Sequence, residues 1–271
     1  MYELIYAIIL IFIVFSLRYA WWRRTVDYKN PRILMYHMIK KPIKNAKFNK
    51  LRVSPEKFER QIQYLLKKGF KFFTMKELME NKNNLPEKCV VLTFDDGYED
   101  NYTNAFPILK KYNVKATIYL VVDRHDREWS SNKKVHHNSG ELRKEPKLKD
   151  KQIKEMLKSK LVEIGSHTIT HPNLLKLDMN EKRKEIINSK KMIEERFNIN
   201  CVSFCYPFGL FDENDVKLAK EAKYTSATTT EKGISPLDED EFLLKRIAVS
   251  GKDNIFDFML KIRTGKKGIK K

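Results

Sequence analysis

The sequence predicts an α/β protein, a (β/α) barrel of about seven parallel strands preceded by one apolar N-terminal helix. Short apolar runs typical of buried strands alternate with amphipathic stretches typical of helices from residue 31 to residue 262. This strict alternation is the pattern of a parallel sheet covered by helices. In addition, charged or polar residues directly follow several of the apolar runs, where the carboxyl ends of parallel strands meet in a barrel.

An apolar helix is predicted at the amino end of the chain. The stretch from residue 2 to residue 22 contains only two charged residues, Glu3 and Arg18, near its ends. Its length approaches the roughly 20 residues that a membrane-spanning helix needs, and tyrosine and tryptophan at both ends suit the membrane interfaces. We expect a membrane anchor, a linker, a folded domain and a basic tail at residues 1–24, 25–30, 31–262 and 263–271.

A cleaved signal peptide and a buried helix of a globular domain are the alternatives to an anchor. No lysine or arginine precedes the apolar stretch and no small-x-small pattern follows it, which favours the anchor over the signal peptide. By the positive-inside rule, basic residues on the carboxyl side of the helix predict a cytoplasmic domain. These residues are Arg18, Arg23, Arg24, Lys29 and Arg32.

Composition narrows the range of partners. Lysine and arginine number 54 and aspartate and glutamate 35, and the net charge of +19 is spread along the chain rather than gathered in blocks. Such a chain favours anionic surfaces. It has no nucleic-acid recognition motif and no basic stripe with interleaved aromatic residues, so nucleic acid is not expected as a partner. The cysteines at 89, 201 and 205 are not expected to form a disulfide framework.

The elements of the folded domain follow in the order that a barrel requires. The first strand, at residues 33–36, ends at His37, and further strands are predicted at 72–73, 89–96, 116–122, 161–164, 201–205, 226–229 and 245–249. Ser54-Pro55 and the capping pattern Asp178-x-x-Glu181 mark helix starts. Helices are predicted at 54–69, 75–80, 101–112 with an interruption at Pro107, 153–157, 178–197, from 212, and 255–262.

Residues 123–149 contain few apolar side chains and many charges. We expect a long loop over the mouth of the barrel. Its histidines, His125, His136 and His137, are expected as exposed loop residues rather than metal ligands. Trp129 is expected either to stack on a bound ring or to pin the loop.

Two adjacent carboxylates, Asp95 and Asp96, end the strand at residues 89–96, and Gly97 follows them. Glycine lets the backbone turn sharply, so both carboxylates can point into one cavity although neighbours on a strand point to opposite faces. Two carboxylates at such a short distance do not both ionise readily unless a cation or a hydrogen-bond donor holds one of them. The pattern favours one metal ligand and one base, with a solvated Asp-Asp-Gly turn as the alternative.

A histidine pair follows the predicted strand at residues 161–164. His167 lies just beyond the end of the strand and His171 four residues later. Imidazoles at this spacing can bind one metal ion if the loop makes a helical turn. Two imidazoles and one carboxylate leave positions open for water and substrate. Two surface histidines are the alternative.

Three motifs together resemble a known family. TFDDGY at 93–98, SHTITH at 166–171 and FCYPFG at 204–209 are similar, in order and spacing, to the polysaccharide deacetylase (NodB-homology, carbohydrate esterase family 4) family over residues 31–262. The early Met-Tyr-His at 35–37 and the Tyr-Pro-Phe-Gly form most resemble poly-N-acetylglucosamine deacetylases. The resemblance implies a distorted barrel and hydrolysis of the acetamide of an N-acetylated sugar. It also implies one divalent metal ion, zinc first, with nickel, cobalt or iron as alternatives.

The resemblance implies a role for each residue of the site. Asp95 would be the general base. The backbone N–H of Tyr206 would stabilise the oxyanion that forms in the reaction. Pro207 and Phe208 would shape the wall of the site, with ordinary core packing as the alternative. Three side chains would be the metal ligands: Asp96, His167 and His171.

Two departures from the family pattern affect the remaining roles. The position two residues before the third-motif proline, an arginine in many relatives, is Cys205, which cannot hold the base through a bidentate ion pair. Arg246 is the candidate to orient Asp95 instead, with a surface arginine as the alternative. No histidine follows His171, where the family pattern supplies a general acid. His37 is therefore the candidate acid, with a substrate-contact or core histidine as the alternative.

We therefore expect a metal-dependent N-deacetylase of a cell-surface polysaccharide. A poly-N-acetylglucosamine-like polymer, peptidoglycan and a lipid-linked glycan are all open as substrates. An inactive carbohydrate-binding relative is the second class of function, although pure binding needs no base beside the metal. The expected partners are the glycan and the membrane, and the oligomeric state is open. The family favours an extracytoplasmic domain, against the charge pattern.

Overall fold

A closed barrel of parallel strands forms the body of the protein. The computed structural model describes residues 2–137 and 139–268. Its strands are β1 (Arg32–Tyr36), β2 (Met38–Ile39), β3 (Arg52–Val53), β4 (Lys71–Phe73), β5 (Cys89–Asp96), β6 (Ala116–Leu120), β7 (Val162–Ser166), β8 (Ser203–Cys205), β9 (Ser226–Lys232) and β10 (Leu244–Ala248). Its helices are α1 (Tyr2–Tyr19), α2 (Pro55–Lys67), α3 (Met75–Glu80), α4 (Phe106–Tyr112), α5 (Ser130–Lys133), α6 (Glu141–Lys144), α7 (Asp150–Lys158), α8 (Met179–Arg183), α9 (Ser189–Phe197), α10 (Glu213–Glu221) and α11 (Ile255–Thr264).

Seven strands close the barrel in the order β1-β5-β6-β7-β8-β9-β10, and β10 pairs back with β1. All of these pairings are parallel, so the predicted fold class is confirmed. The short strand β4 pairs with the amino-terminal half of β5 on the edge that β6 occupies further along. The barrel is distorted because β7 and β8 share one register pair, Ser166 with Phe204, and the register shifts between β9 and β10.

Local sequence signals account for the helix bounds. Ser54 caps α2 by accepting a hydrogen bond from the N–H of Lys57, with Pro55 at the first helical position. The predicted capping box begins α8, where Asp178 and Glu181 bond reciprocally. The predicted interruption at Pro107 is wrong. Pro107 lies in the first turn of α4, directly after a π-helical turn at Asn101–Ala105, where proline needs no N–H acceptor.

The apolar faces of the helices pack against the outside of the barrel. Phe58, Ile62 and Leu65 of α2 are fully buried, whereas the neighbouring Leu66 is 38% exposed. Burial of the first three side chains contributes roughly 1.5–3 kcal/mol each. The three cysteines are free and buried, which agrees with the absence of a predicted disulfide framework.

Helix α1 lies outside the barrel, and its side chains are largely exposed. It is the one helix among the described residues that is long and apolar enough to cross a membrane, and a helix of this kind near the amino end serves as an anchor or as a signal sequence. Near its carboxyl end, the rings of Phe15 and Tyr19 contact the ring of Phe256.

Hydrogen bonds attach the predicted linker to the end of the barrel where β1 begins. The fully buried guanidinium of Arg32 donates hydrogen bonds to the carbonyls of Val26, Asp27, Asn30 and Ile262. The predicted basic tail begins inside α11, which continues to Thr264. Its residues 269–271 lie outside the described residues, as does Met1 of the predicted anchor.

The long segment between β6 and α7 folds over the barrel mouth and has a small core of its own. Trp129 and Leu142 are 2% and 3% exposed and pack with Met38 and Tyr98. Trp129 therefore pins the segment, the second of its two expected roles. The histidines of the segment lie at its surface as expected: His125 and His136 are exposed and His137 is half-buried.

Candidate active site

The carboxyl ends of the barrel strands open into one cleft of about 570 Å³. Asp95 and Asp96 end β5, while His37 directly follows β1 and His167 directly follows β7. All four line the cleft, together with His171 and Phe208. The strand order places β5 between β1 and β6, and β7 beside β6, so residues far apart in sequence face one cavity.

The backbone aims both carboxylates of β5 into the cleft. Asp96 has a φ of +77°, a left-handed conformation that a non-glycine residue adopts at a cost of about 1–3 kcal/mol. Gly97 continues with a φ of +76°, and a Cβ at this position would approach Leu120 Cδ1 to 2.7 Å. Thr168, His171 and Phe208 also have positive φ values. Four of the twelve non-glycine residues with positive φ among the described residues thus belong to the segments that form the cleft, and such conformations are common at functional sites.

Asp96, His167 and His171 form a buried group whose geometry fits one metal ion. The Oδ1 atom of Asp96 lies 3.6 Å from His167 Nε2 and 3.4 Å from His171 Nε2, and the two Nε2 atoms are 3.1 Å apart. Ligand atoms about 2.0–2.1 Å from a shared zinc ion lie roughly 3.3 Å from one another in tetrahedral coordination. The three side chains thus fit a divalent metal ion, as the resemblance implies.

The two imidazoles are prepared to act as neutral ligands. The Nδ1–H of His167 donates to the carbonyl of Cys205 at 2.7 Å, which leaves the lone pair of Nε2 directed at the other two ligand atoms. Burial, followed by the nearby charges of His167 and His37, holds the pKa of His171 well below its usual range. A neutral imidazole is the form that binds a metal ion.

A second group of metal-type side chains, Asp95, His167 and Cys205, is less suited to a cation. Burial raises the pKa of the Cys205 thiol, which keeps the sulfur protonated and a weak ligand. The carboxylate of Asp95 already pairs with an arginine, as described next. The geometry and the charge balance favour the Asp96 group.

Arg246 reaches through the barrel from β10 and holds both oxygens of Asp95. Its Nη1 donates to Oδ1 at 2.6 Å and its Nη2 to Oδ2 at 2.8 Å, and Arg246 is fully buried. Burial alone raises the pKa of the Asp95 carboxyl, but Arg246, aided by His37, more than offsets this and leaves that pKa below its usual range. Arg246 also contacts the sulfur of Cys205 at 3.2 Å. The guanidinium thus occupies the space beside a small residue where many relatives carry an arginine.

His37 approaches the same carboxylate from the end of β1, the strand that lies between β10 and β5. Its Nε2 lies 3.9 Å from Asp95 Oδ2, and its side chain is 19% exposed to the cleft. The side-chain amide of Asn101 donates to the backbone carbonyl of His37 at 2.8 Å, which fixes the turn after β1. A partly exposed imidazole at this position can contact both Asp95 and a bound substrate.

The third motif lines the cleft, but its backbone donors differ from the expectation. The N–H of Tyr206 donates to the carbonyl of Thr228 at 3.2 Å, so the barrel ladder already uses the expected oxyanion donor. Pro207 has no N–H, whereas the N–H of Phe208 donates to no acceptor within the described residues. Phe208 has a φ of +58°, and its ring lies edge-on to His171 with centroids 4.4 Å apart. Pro207 is buried.

Sequence reasoning missed the residues that fasten the histidine turn. Glu185 accepts hydrogen bonds from the N–H groups of Ile169 and Thr170 at 2.8 and 2.9 Å, from within a π-helical turn. The side chain of Asn132, on the segment over the mouth, donates to the carbonyl of His171 at 3.0 Å. The capping pattern places Glu185 on a helix, but no local signal shows that it reaches this loop.

The fold and the site together define a (β/α)-barrel protein with a carboxylate–histidine–histidine group beside an arginine-held carboxylate. The model of the polysaccharide deacetylase family matches residues 82–227. The chain belongs to this family, which confirms the resemblance inferred from the motifs.

Individual relatives agree with this assignment. The chain is 36% identical over 234 residues to YxkH of Bacillus subtilis, covering 85% of this chain and 75% of the relative. It is 30% identical over 221 residues to the poly-beta-1,6-N-acetyl-D-glucosamine N-deacetylase of Staphylococcus aureus, covering 77% and 71%. The structure is similar to the Streptococcus pyogenes deacetylase PplD in complex with acetate, with a TM-score of 0.72 at 28% identity over 88% of this chain and 99% of that chain. In fold, it is also similar to IcaB from Ammonifex degensii, with a TM-score of 0.71 at 21% identity over 89% and 98%.

Proposed function

We propose that this protein is a metal-dependent N-deacetylase that hydrolyses the acetamide of N-acetylated sugars in a cell-surface polysaccharide. The observation that carries the proposal is the pairing of Asp95 with Arg246 directly beside the Asp96 group. One carboxylate is available for metal binding, and its neighbour is held as an unprotonated base. Family membership and the Staphylococcus aureus relative that deacetylates poly-beta-1,6-N-acetyl-D-glucosamine support the sugar substrate.

Asp96, His167 and His171 would hold the metal ion, with zinc as the first choice and nickel, cobalt or iron as alternatives. When bound, the ion supplies a Lewis acid for the acetamide carbonyl and lowers the pKa of a coordinated water to about 7. One carboxylate and two neutral imidazoles leave open positions for water and substrate, as catalytic rather than structural sites do.

Asp95 acts as the general base in this proposal. Its carboxylate accepts the proton of the attacking water, and the fork of Arg246 keeps it ionised and in a fixed orientation. A site that only binds carbohydrate needs no buried arginine to keep a second carboxylate unprotonated beside the proposed metal ligands. This arrangement supports an enzyme over an inactive carbohydrate-binding relative.

His37 and Phe208 complete the proposed machinery. His37 Nε2 lies on the cleft side of Asp95 and donates a proton to the departing amine nitrogen. The N–H of Phe208, which is not engaged within the described residues, takes the oxyanion role first expected of Tyr206. Tyr206 and Pro207 then support the wall that Phe208 presents to the substrate.

The decisive measurement is acetate release from N-acetylated oligosaccharides by protein loaded with defined metals. We expect His167→Ala to lose both metal and turnover, and Asp95→Asn to keep the metal and lose roughly 10²- to 10⁴-fold in kcat, the usual contribution of a general base. Metal-loaded protein that binds the oligosaccharides without releasing acetate would favour the inactive relative. An Asp95→Asn variant that lacks metal would make Asp95 a ligand.

The apolar helix α1 supports a membrane location for the enzyme. We propose that residues 1–24 anchor the domain and that residues 31–262 carry the activity. The substrate class favours an extracytoplasmic domain, while the basic residues after α1 favour the cytoplasm. Labelling a cysteine introduced at exposed Lys154 with a membrane-impermeant reagent in intact cells distinguishes the two sides.

A further inference from the structure

The cleft of the candidate site has a strongly basic rim. The lysines that line it come from three separate segments: the loop between β2 and β3, the segment over the mouth, and the end of β9. All five are exposed: Lys47, Lys50, Lys133, Lys134 and Lys232.

These ammonium groups have no carboxylate partners within residues 2–137 and 139–268, although other lysines of the chain do form such pairs. Two acidic side chains of the segment over the mouth, Glu128 and Glu141, serve other donors. Glu141 accepts from Arg52 and from the backbone N–H groups of Lys47 and Phe48. Glu128 accepts from Ser130 and from backbone N–H groups of the segment over the mouth. The rim therefore presents uncompensated positive charge to the cleft.

The floor of the cleft does not neutralise this rim. Among the described lining residues, the carboxylates are Asp95 and Asp96. Arg246 balances the charge of Asp95, and a divalent metal would more than balance that of Asp96. The rim charge also lies close to the reaction centre. Lys133 Nζ is 5.8 Å from the centre of the Phe208 ring, which is itself 4.4 Å from the His171 ring.

We propose that the substrate of this site is an anionic N-acetylated glycan, one with a carboxylate or phosphate group on or next to the sugar that loses its acetyl group. This inference rests on the proposed deacetylase function and chooses among its open substrates. A low-dielectric cleft lined by one sign of charge concentrates ligands of the opposite sign and speeds their capture. A neutral N-acetylglucosamine polymer offers no negative charge to these lysines.

The charge of the reaction product also favours an anionic substrate. Each deacetylation converts a neutral acetamide into an amine that is protonated near neutral pH and so adds a positive charge to the glycan. On a neutral polymer the growing cation would be repelled by the five lysines, which lowers affinity as the reaction proceeds. On an anionic glycan each new ammonium is offset by a neighbouring negative group, so the polymer continues to bind.

The test compares three matched substrates with metal-loaded full-length protein in detergent. One is the neutral pentamer of N-acetylglucosamine, the second is the same pentamer with a phosphate on one sugar, and the third is a peptide-free glycan of alternating N-acetylglucosamine and N-acetylmuramic acid. We expect kcat/KM to be at least about tenfold higher for one or both anionic substrates at low salt. The advantage should shrink towards equality near 1 M salt, where the Debye length falls to about 3 Å.

Paired lysine variants test the rim itself. In Lys47→Gln/Lys50→Gln and Lys133→Gln/Lys134→Gln, the ratio of kcat/KM for anionic to neutral substrate should fall roughly 2- to 20-fold, because each exposed ion pair contributes about 1.5- to 5-fold in affinity. The matched control is Lys154→Gln/Lys158→Gln, which removes the same charge from exposed positions of α7. This control should keep the wild-type ratio.

The outcomes separate this inference from the proposed function. Acetate release that is as fast from the neutral pentamer as from both anionic substrates overturns the inference and leaves the deacetylase standing. Equal losses in the rim and control variants also overturn it, because net charge rather than the cleft would then be responsible. Acetate release from none of the three substrates contradicts the proposed function. A preference for one anionic substrate supports the inference and identifies phosphate or carboxylate as the source of charge.

Discussion

Arg246→Lys tests whether a guanidinium fork positions Asp95, the proposed general base. In the structure the two Nη atoms of Arg246 hold the two oxygens of Asp95 at 2.6 and 2.8 Å, and both residues are buried. Lysine retains the positive charge, but its single ammonium group cannot fix a carboxylate in one orientation. The substitution therefore separates the charge of Arg246 from its geometry.

The size of the effect follows from the lost contacts. Arg246 also donates from Nε to the Thr229 carbonyl at 2.8 Å and from Nη1 to Thr93 Oγ1 at 3.0 Å. Loss of two such hydrogen bonds, at about 0.5–1.5 kcal/mol each, should lower the free energy of unfolding by about 1–3 kcal/mol. A base displaced by about 1 Å should lower kcat by about 10²-fold. Metal content should stay at the wild-type level, because Arg246 contacts none of the three proposed ligand side chains.

The assay combines kcat and KM for acetate release, metal content by mass spectrometry, and chemical unfolding. Arg32→Lys is the matched control, because Arg32 is also a fully buried guanidinium but binds backbone carbonyls at the opposite end of the barrel. It should lose comparable stability and keep its kcat. A wild-type kcat in Arg246→Lys would refute the positioning argument. Equal kcat losses in both variants would assign the effect to stability, and loss of metal would place Arg246 in support of the ligands.

Three further predictions concern His37, Asp100 and the N-terminal helix. His37→Ala should lower kcat far more than metal content, and a loss confined to KM would make His37 a binding residue. Burial raises the pKa of Asp100 to about 7, so the folded state binds a proton that the unfolded state releases near pH 4. As the pH rises from about 4 to 7, the free energy of unfolding of wild type should therefore fall by about 1.4 kcal/mol per pH unit relative to Asp100→Asn, and above about pH 7 the difference should stay constant. Chemical unfolding measures both profiles, and parallel profiles would contradict this prediction. Deleting residues 1–24 should leave a soluble, active domain, because the backbone N–H of Val26 still donates to the carbonyl of Arg263 when α1 is removed. Retention of the truncated form on vesicles in high salt would contradict the anchor.

Local patterns were sufficient for the strands of the barrel and for the residues that end them, but they did not predict the short elements β2, β3, α5 and α6. The run before Asp95 and the capping pattern at Asp178 are properties of a few neighbouring residues, so their structural outcome could be predicted. Tyr206 shows the limit of such reasoning. Its backbone N–H was expected at the reaction centre but pairs with Thr228 on β9, because a distorted barrel continues its ladder one residue beyond β8. In the proposed reaction the oxyanion donor is therefore Phe208, whose N–H pairs with no acceptor within the described residues.

The sequence by itself specifies the barrel, the family and the side chains that end the strands, because periodicity and short motifs encode strands and the residues that follow them. It could name Arg246 only as a candidate partner for Asp95, 151 residues away. Closure of the sheet from β10 through β1 to β5 brings the two side chains together, and no local signal reports that contact. The same holds for the lysine rim, whose three segments share one cleft only after the strands close. Charge along the chain is a sum over residues, whereas charge around a cleft is a property of the folded arrangement.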